Sequence, residues 1–346
     1  MRRLCGLLSS LAKGITVEAS CFVFFFAFNV YSLGAQRLLV QKTCSPQDQP
    51  PIQELCNATQ AIGQAAEINI VRNVLGEVLP GVVVFIAGAW RDATGLCRPL
   101  ILFTFITQFL AVCAFLLQAV VWSLSPWISS VLESTLGGLS GGKQMINLAA
   151  ICYISNRTTL ENRTFRLTFF VVSMTAGLSL ATALSGYILI SLGYVYFFAT
   201  IMFLYLIGMV MAFIFIKEEP SKLVKGTKWL NVSTLLIVFK PKPNRAVIWL
   251  MIINSWLIYT TQCGEMTIIL YFLEKGFGLT VTNTAFFLAY LMTMNFLSTV
   301  ALTPFLIKVL KWSDFTIGIV GNVLTIIAVV GIALTKSITL LYVCKN

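Results

Sequence analysis

The sequence predicts an all-α polytopic membrane protein, and three observations carry that prediction. Of 346 residues, 58% are hydrophobic and only 11% are charged, whereas about a quarter of a soluble domain is charged. The mean hydropathy is +0.88, more apolar surface than a water-facing fold can hide. The apolar residues also gather into long runs, and about 20 such residues in helical form cross a bilayer.

Nine runs are long enough. They cover Ile15–Val40, Val71–Trp90, Leu100–Val121, Pro126–Ser155, Leu167–Ser191, Tyr194–Ile216, Ala246–Phe272, Asn283–Val309 and Phe315–Leu334. A tenth begins at Ile338 and is cut off at Asn346. Pro126–Ser155 is the longest single run and is expected to tilt or to extend past the bilayer. The polar stretch between runs six and seven contains Trp229–Phe239 followed by Lys240-Pro241-Lys242-Pro243. It reads as a short helix on the membrane surface, with lysines at the headgroups, inside a linker between two halves. The expected organisation is residues 1–216, a linker over 217–245, and residues 246–346. Met1-Arg2-Arg3 superficially resembles a signal peptide, but the run from Ile15 is too long for one.

Basic residues orient the chain. With a cytosolic N-terminus, seventeen Lys and Arg fall in inner segments and five in outer ones, as the positive-inside rule requires. The net charge of +11 then reflects inner loops facing anionic lipid rather than nucleic acid, since the charges are scattered between spans. The segment Gln41–Ile70 falls outside. It carries the sequon Asn57-Ala58-Thr59, a candidate glycosylation site, and Cys44 with Cys56, the candidate disulfide pair among nine cysteines. The sequons at Asn156, Asn162 and Asn231 fall inside. The other cysteines lie in or beside apolar runs or inner loops, as small hydrophobes.

Between runs two and three lies Gly88-Ala89-Trp90-Arg91-Asp92-Ala93-Thr94-Gly95-Leu96-Cys97-Arg98-Pro99. This G-x-x-x-D-x-x-G loop with a following basic residue resembles the signature loop of major facilitator superfamily transporters. Physically it reads as a latch. Asp92 is placed to accept backbone N–H groups at a neighbouring helix start. Gly88 and Gly95 permit a tight turn and close helix approach. Arg98 is placed to pair with an acid of the other half. A latch of this kind holds one facing state and breaks in the other.

Further motifs resemble the proton-coupled folate transporter family, solute carrier family 46. They are Val17-Glu18, Gly88-Ala89-Trp90 with Asp92, Gly95 and Arg98-Pro99-Leu100, Leu136–Gly141, Arg163-Thr164-Phe165-Arg166, and Ile269-Leu270-Tyr271. The resemblance covers residues 15–335. It implies the major facilitator fold, with a six-helix N-terminal half and an incomplete C-terminal half of nine to ten spans in all. It also implies import of an organic anion, a process often coupled to protons in that family. Four departures stand out. The chain has no histidine, so Thr261 stands where the family's span 7 histidine is. The family's span 5 acid aligns with Val171. Leu96-Cys97 replaces the basic pair of the signature loop. The chain stops inside a tenth span, which suggests a truncated form. Family members pair an outer-loop cysteine with one between spans 7 and 8; Phe272–Thr282 has none, leaving Cys44 and Cys56.

Ionisable groups inside spans are costly and mark pathways or partners. Glu265, with Gln262 and Thr261 in span 7, is the first candidate for substrate or proton handling. Lys143, after the glycine-rich stretch of span 4, is placed to counter an anionic substrate, and Glu77 is placed to pair with it. Arg37 reads as an interface anchor and Glu18 as structural. Glu133 is placed near the outer leaflet. Gly177, Ala181, Ser185 and Gly186 suggest close helix contact in span 5, and the phenylalanines of span 1 read as packing surface. No metal, cofactor or nucleophile–base arrangement is visible, so an enzyme is not expected. The expected partners are a small-molecule substrate, protons and the lipid bilayer, in a plasma or endolysosomal membrane. The alternative is a non-transporting truncated scaffold, regulatory or receptor-like form.

Overall fold

The structure, a computed structural model, describes residues 17–52, 59–218, 245–279, 281–302, 305–306, 310–312 and 314–335. These form helices and short connections, with no strand among them. In chain order the helices are α1 (Val17–Cys44), α2 (Thr59–Thr94), α3 (Arg98–Val120), α4 (Pro126–Leu139), α5 (Gly142–Arg157), α6 (Leu160–Phe215), α7 (Arg245–Phe277), α8 (Val281–Leu297) and α9 (Asp314–Leu334), with a π-helical turn over Ser298–Leu302 after α8. The surface-helix segment Trp229–Phe239, the sequon Asn57 and the start of the tenth run at Ile338 lie outside the described residues.

Among the described residues, four helices are long and apolar enough to cross a membrane: Val17–Cys44, Gln60–Thr94, Arg98–Val120 and Arg166–Phe215. The last holds the expected spans 5 and 6, which divide at Gly193. Its φ of 73° and ψ of 167° are non-helical, a conformation that glycine adopts without a Cβ penalty. Phe286–Leu302 and Thr316–Ile332 are shorter apolar helices.

Two expected boundaries are corrected. Span 2 starts well before Val71, because α2 begins at Thr59 and carries Arg72 inside a helix rather than at its end. The run Pro126–Ser155 is not one helix. It breaks at Ser140-Gly141 into α4, of 14 residues, and α5, of 16, each shorter than a bilayer crossing needs. Gly141 has φ +77° and an added Cβ would meet Val84 Cγ2 at 2.8 Å. Hydropathy counts apolar residues and is blind to a left-handed backbone.

The core is built on α1, which packs chiefly on α6. Phe24 stacks edge-on against Phe105 of α3 and Tyr205 of α6, with centroids 5.4 and 5.8 Å away; each such pair contributes about 0.5–1.5 kcal/mol beyond its buried area. Gly177 permits a close backbone approach: a Cβ there would lie 2.9 Å from the Phe22 carbonyl oxygen. One turn on, Asn29 donates to the Thr182 hydroxyl at 2.6 Å and the Leu178 carbonyl at 3.1 Å. Ala181 and Ser185 are buried beside it. The C-terminal part joins this bundle through α8. Ser179 donates to the Met292 carbonyl at 2.9 Å, Tyr187 meets Phe286 edge-on, and Leu33 packs on Ile269, Leu273 and Phe287.

Candidate functional site

A cavity of about 200 Å³ lies among the first five helices. Phe28, Ser32 and Gln36 of α1 form one wall, and Arg72, Asn73, Gly76, Glu77 and Pro80 of α2 a second. Gln108 of α3 closes the back. Glu133, Ser134, Gly137 and Gly138 of α4 and Gly142, Lys143 and Gln144 of α5 complete it. The break in span 4 therefore opens directly onto the cavity.

Among the described residues, four ionisable side chains line this space, in two pairs. Lys143 Nζ lies 2.7 Å from Glu77 Oε1, with about a third of each side chain exposed. The other Glu77 oxygen accepts from Gln144 Nε2 at 3.0 Å and from the Tyr259 hydroxyl at 3.2 Å. Tyr259 belongs to α7, so this carboxylate ties the N-terminal bundle to the C-terminal part. Arg72 and Glu133 form the second pair. The guanidinium fork donates Nε to Oε2 at 2.8 Å and Nη2 to Oε1 at 3.3 Å, the bidentate geometry that makes such pairs strong. It also lies over the rings of Tyr31 and Phe115, at 5.6 and 5.5 Å, and both residues of the pair are buried.

The sequence candidates separate accordingly. Lys143 and Glu77 meet in the cavity. Thr261 does not reach it: the residue is exposed and its hydroxyl donates to Leu257 O in its own helix. Gln262 and Glu265 sit on α7, one and two turns beyond Tyr259, and their side chains lie outside those described. Tyr259, Gln144, Gln108 and the Arg72–Glu133 pairing were not foreseen. Tyr259 sits inside the apolar run Trp256–Tyr259, where a tyrosine carries no polar signal until its hydroxyl finds a partner.

The latch is rearranged. Asp92 does not cap a helix; it faces solvent and pairs with the adjacent Arg91 at 3.0 Å. The carboxylate at the start of α3 is Glu218, which accepts the Cys97 N–H at 2.5 Å. Arg98 turns to the end of α6, donating to Phe213 O at 2.7 Å and stacking 4.4 Å over the Phe213 ring. Its partner is thus a carbonyl of the same half, not an acid of the other half. The neighbouring Arg157 donates to Lys217 O, so three basic or capping contacts gather on residues 213–218. Gly95 does the turning, with φ 75°, while Gly88 has only one atom at 4.0 Å from its would-be Cβ and no steric need to be glycine. Burial pushes the Cys97 thiol up to about 11, against the pull of Arg91.

Other charges are structural. Glu18 is buried and bonds Arg166 at 2.6 Å. Arg37 is not an interface anchor: it is buried and donates to Ile52 O at 3.5 Å, while Gln41 donates to Pro51 O and Ile52 O, pinning the first connecting segment. Cys44 is disulfide-bonded, and Cys56, its expected partner, lies outside the described residues.

A bundle of long apolar helices around a polar, charge-paired cavity defines a polytopic membrane protein of the transporter class. Residues 60–344 match the Major Facilitator Superfamily, and the chain belongs to that superfamily of membrane transporters. No curated protein matches the chain.

Proposed function

We propose that the chain is a secondary carrier of an organic anion or small polar metabolite, working by alternating access. In this reading residues 1–216 and 246–346 rock about the cavity, with 217–245 linking them. The observation that carries it is the Lys143–Glu77 pair. A lysine and a carboxylate, each about a third exposed, meet in a cavity inside an apolar bundle, and Tyr259 of the other half bonds the same carboxylate. A substrate anion competing for Lys143 would free Glu77 from that bridge. Glu265, on the same helix as Tyr259, is a candidate proton carrier. The N-terminus is taken as cytosolic, with Asn57 glycosylated outside. The resemblance to solute carrier family 46 supports including folate-like anions among the substrates to be tried.

The test is uptake of labelled folate, an antifolate and small organic anions into cells expressing this chain, at outer pH of about 5.5 and about 7.4, bracketing the range of a raised carboxylate. Stimulated uptake at the lower pH, lost in Lys143→Met, is the expected result. No uptake of any anion despite surface expression favours the scaffold or regulatory alternative.

A further inference from the structure

We infer that the break in the fourth span is a carboxylate-binding subsite of the cavity. This deepens the carrier reading by naming the chemical group held at one fixed place.

A helix start leaves its first N–H groups without intrahelical acceptors and carries the positive end of the helix dipole. At α5 that start is inside the bundle, on the cavity wall, rather than at a solvent-facing end. Its N-cap is Gly141 in the left-handed region, with no side-chain cap. The second, independent observation is Gln108. It is only 3% exposed, lines the same cavity, and makes no hydrogen bond among the described residues. Its Nε2 lies 3.1 and 3.8 Å from where Cβ atoms on Gly137 and Gly142 would be, so the amide points into the break. The amide reaches the open cavity rather than being sealed in protein, and a ligand oxygen there would take the place of water.

The polarity of the break decides the ligand's charge. On the carbonyl side, Gly137 O already accepts from the Ser140 hydroxyl at 2.8 Å and Gly138 O from Gly141 N at 2.9 Å. These acceptors are used. At the α5 start the Gly142 N–H already donates to the Ser140 hydroxyl at 3.3 Å, so the donors left for a ligand are the Gln108 amide and the N–H groups that follow Gly142. Lys143, the second residue of α5, adds a cation whose charge Glu77 only balances. A group with two acceptor oxygens and one negative charge fits the Gln108 Nε2, the α5 dipole and Lys143 together, whereas a neutral amide can pair with Gln108 but gains nothing from the two positive charges. The glycines keep the space open: a methyl at Gly137 would push on Gln108.

The experiment uses the full chain purified in detergent, with benzoate, nicotinate and acetate as probes and their primary amides as matched controls. Binding is read by thermal shift and calorimetry. The carboxylates should bind at least about tenfold more tightly than the amides, the scale of one hydrogen bond to a charged group. In Gln108→Leu that preference should fall to near parity with the apo melting temperature unchanged. Gln108→Asn, which keeps an amide but draws it back by one methylene, should show the same loss if the leucine variant does not fold. Equal binding of acids and amides, no binding of either, or an acid preference intact in both variants would overturn the subsite. A carboxylate that binds in a Gln108-dependent way but is not taken up by cells upholds the subsite and removes the carrier reading.

Discussion

Arg72–Glu133 and Lys143–Glu77 line one cavity in opposite surroundings. The first is bidentate, buried, and capped by two aromatic rings. The second is a single contact, a third exposed, with a carboxylate shared among Lys143, Gln144 and Tyr259. Desolvation decides the difference. A buried pair costs most when one partner is lost, because the other charge stays behind. A pair open to the cavity can trade partners with water or ligand and is worth little to stability. The same two residue classes therefore build a fixed element on one wall and an exchangeable one on the other.

The largest expected effect falls on the sealed pair. Glu133→Gln or Arg72→Met alone should destabilise the protein by about 3–5 kcal/mol, read as lost melting temperature and lost surface expression. The double variant Arg72→Met with Glu133→Leu should recover most of that stability, since no orphan charge remains. A single variant that melts like the parent would erase the contrast with Lys143–Glu77.

The open pair should show the reverse. Lys143→Met and Glu77→Gln should change stability by less than about 1 kcal/mol after solvent screening, yet lower uptake at least about tenfold, the scale of one hydrogen bond to a charged group. Tyr259→Phe should have a smaller effect, because it removes one hydrogen bond from Glu77 and leaves Lys143 in place. Uptake unchanged in Lys143→Met at equal surface amount would make this pair as structural as its neighbour.

Between these lies the backbone that carries both. Gly141→Ala places a Cβ 2.8 Å from Val84 Cγ2 at a φ of +77°, so a cost of about 1–3 kcal/mol is expected from strain of this kind. Gly88→Ala, with open space, should melt like the parent. The comparison sharpens which glycine of the chain is structural.

Much of this was legible in the sequence. Hydropathy alone pointed to the membrane class and to the long apolar helices Val17–Cys44, Gln60–Thr94, Arg98–Val120 and Arg166–Phe215, because burying apolar runs in lipid leaves few other arrangements. Lys143 and Glu77 were legible because a charge in a span is conspicuous. Three things were not. The break in span 4 depends on φ at Gly141, while Gly137, Gly138 and Gly142 beside it look the same on the page. Gln108 and Tyr259 are neutral side chains whose role comes from neighbours on other helices. The helix-capping acid was assigned to Asp92 because it sits in the loop motif, whereas Glu218 reaches the α3 start only because α6 folds back beside it.

That last exchange gives the smallest expected effect, and a clean comparison of two acids. Glu218→Gln weakens a charge-assisted cap on the Cys97 N–H, and caps of this kind contribute about 0.5–2 kcal/mol. Asp92→Asn removes only a contact between adjacent residues, one of them 64% exposed, and should leave the melting temperature within error. Cys97 reports the same site chemically. Its thiol, raised by burial to about 11 from 9.0, should stay protonated through pH 9 and alkylate slowly, with stability falling as pH climbs from 9.0 towards 11, because the unfolded chain ionises first. Glu218→Gln should speed alkylation at fixed pH by loosening the turn, while Asp92→Asn should not. Equal acceleration in both variants would return the latch to Asp92.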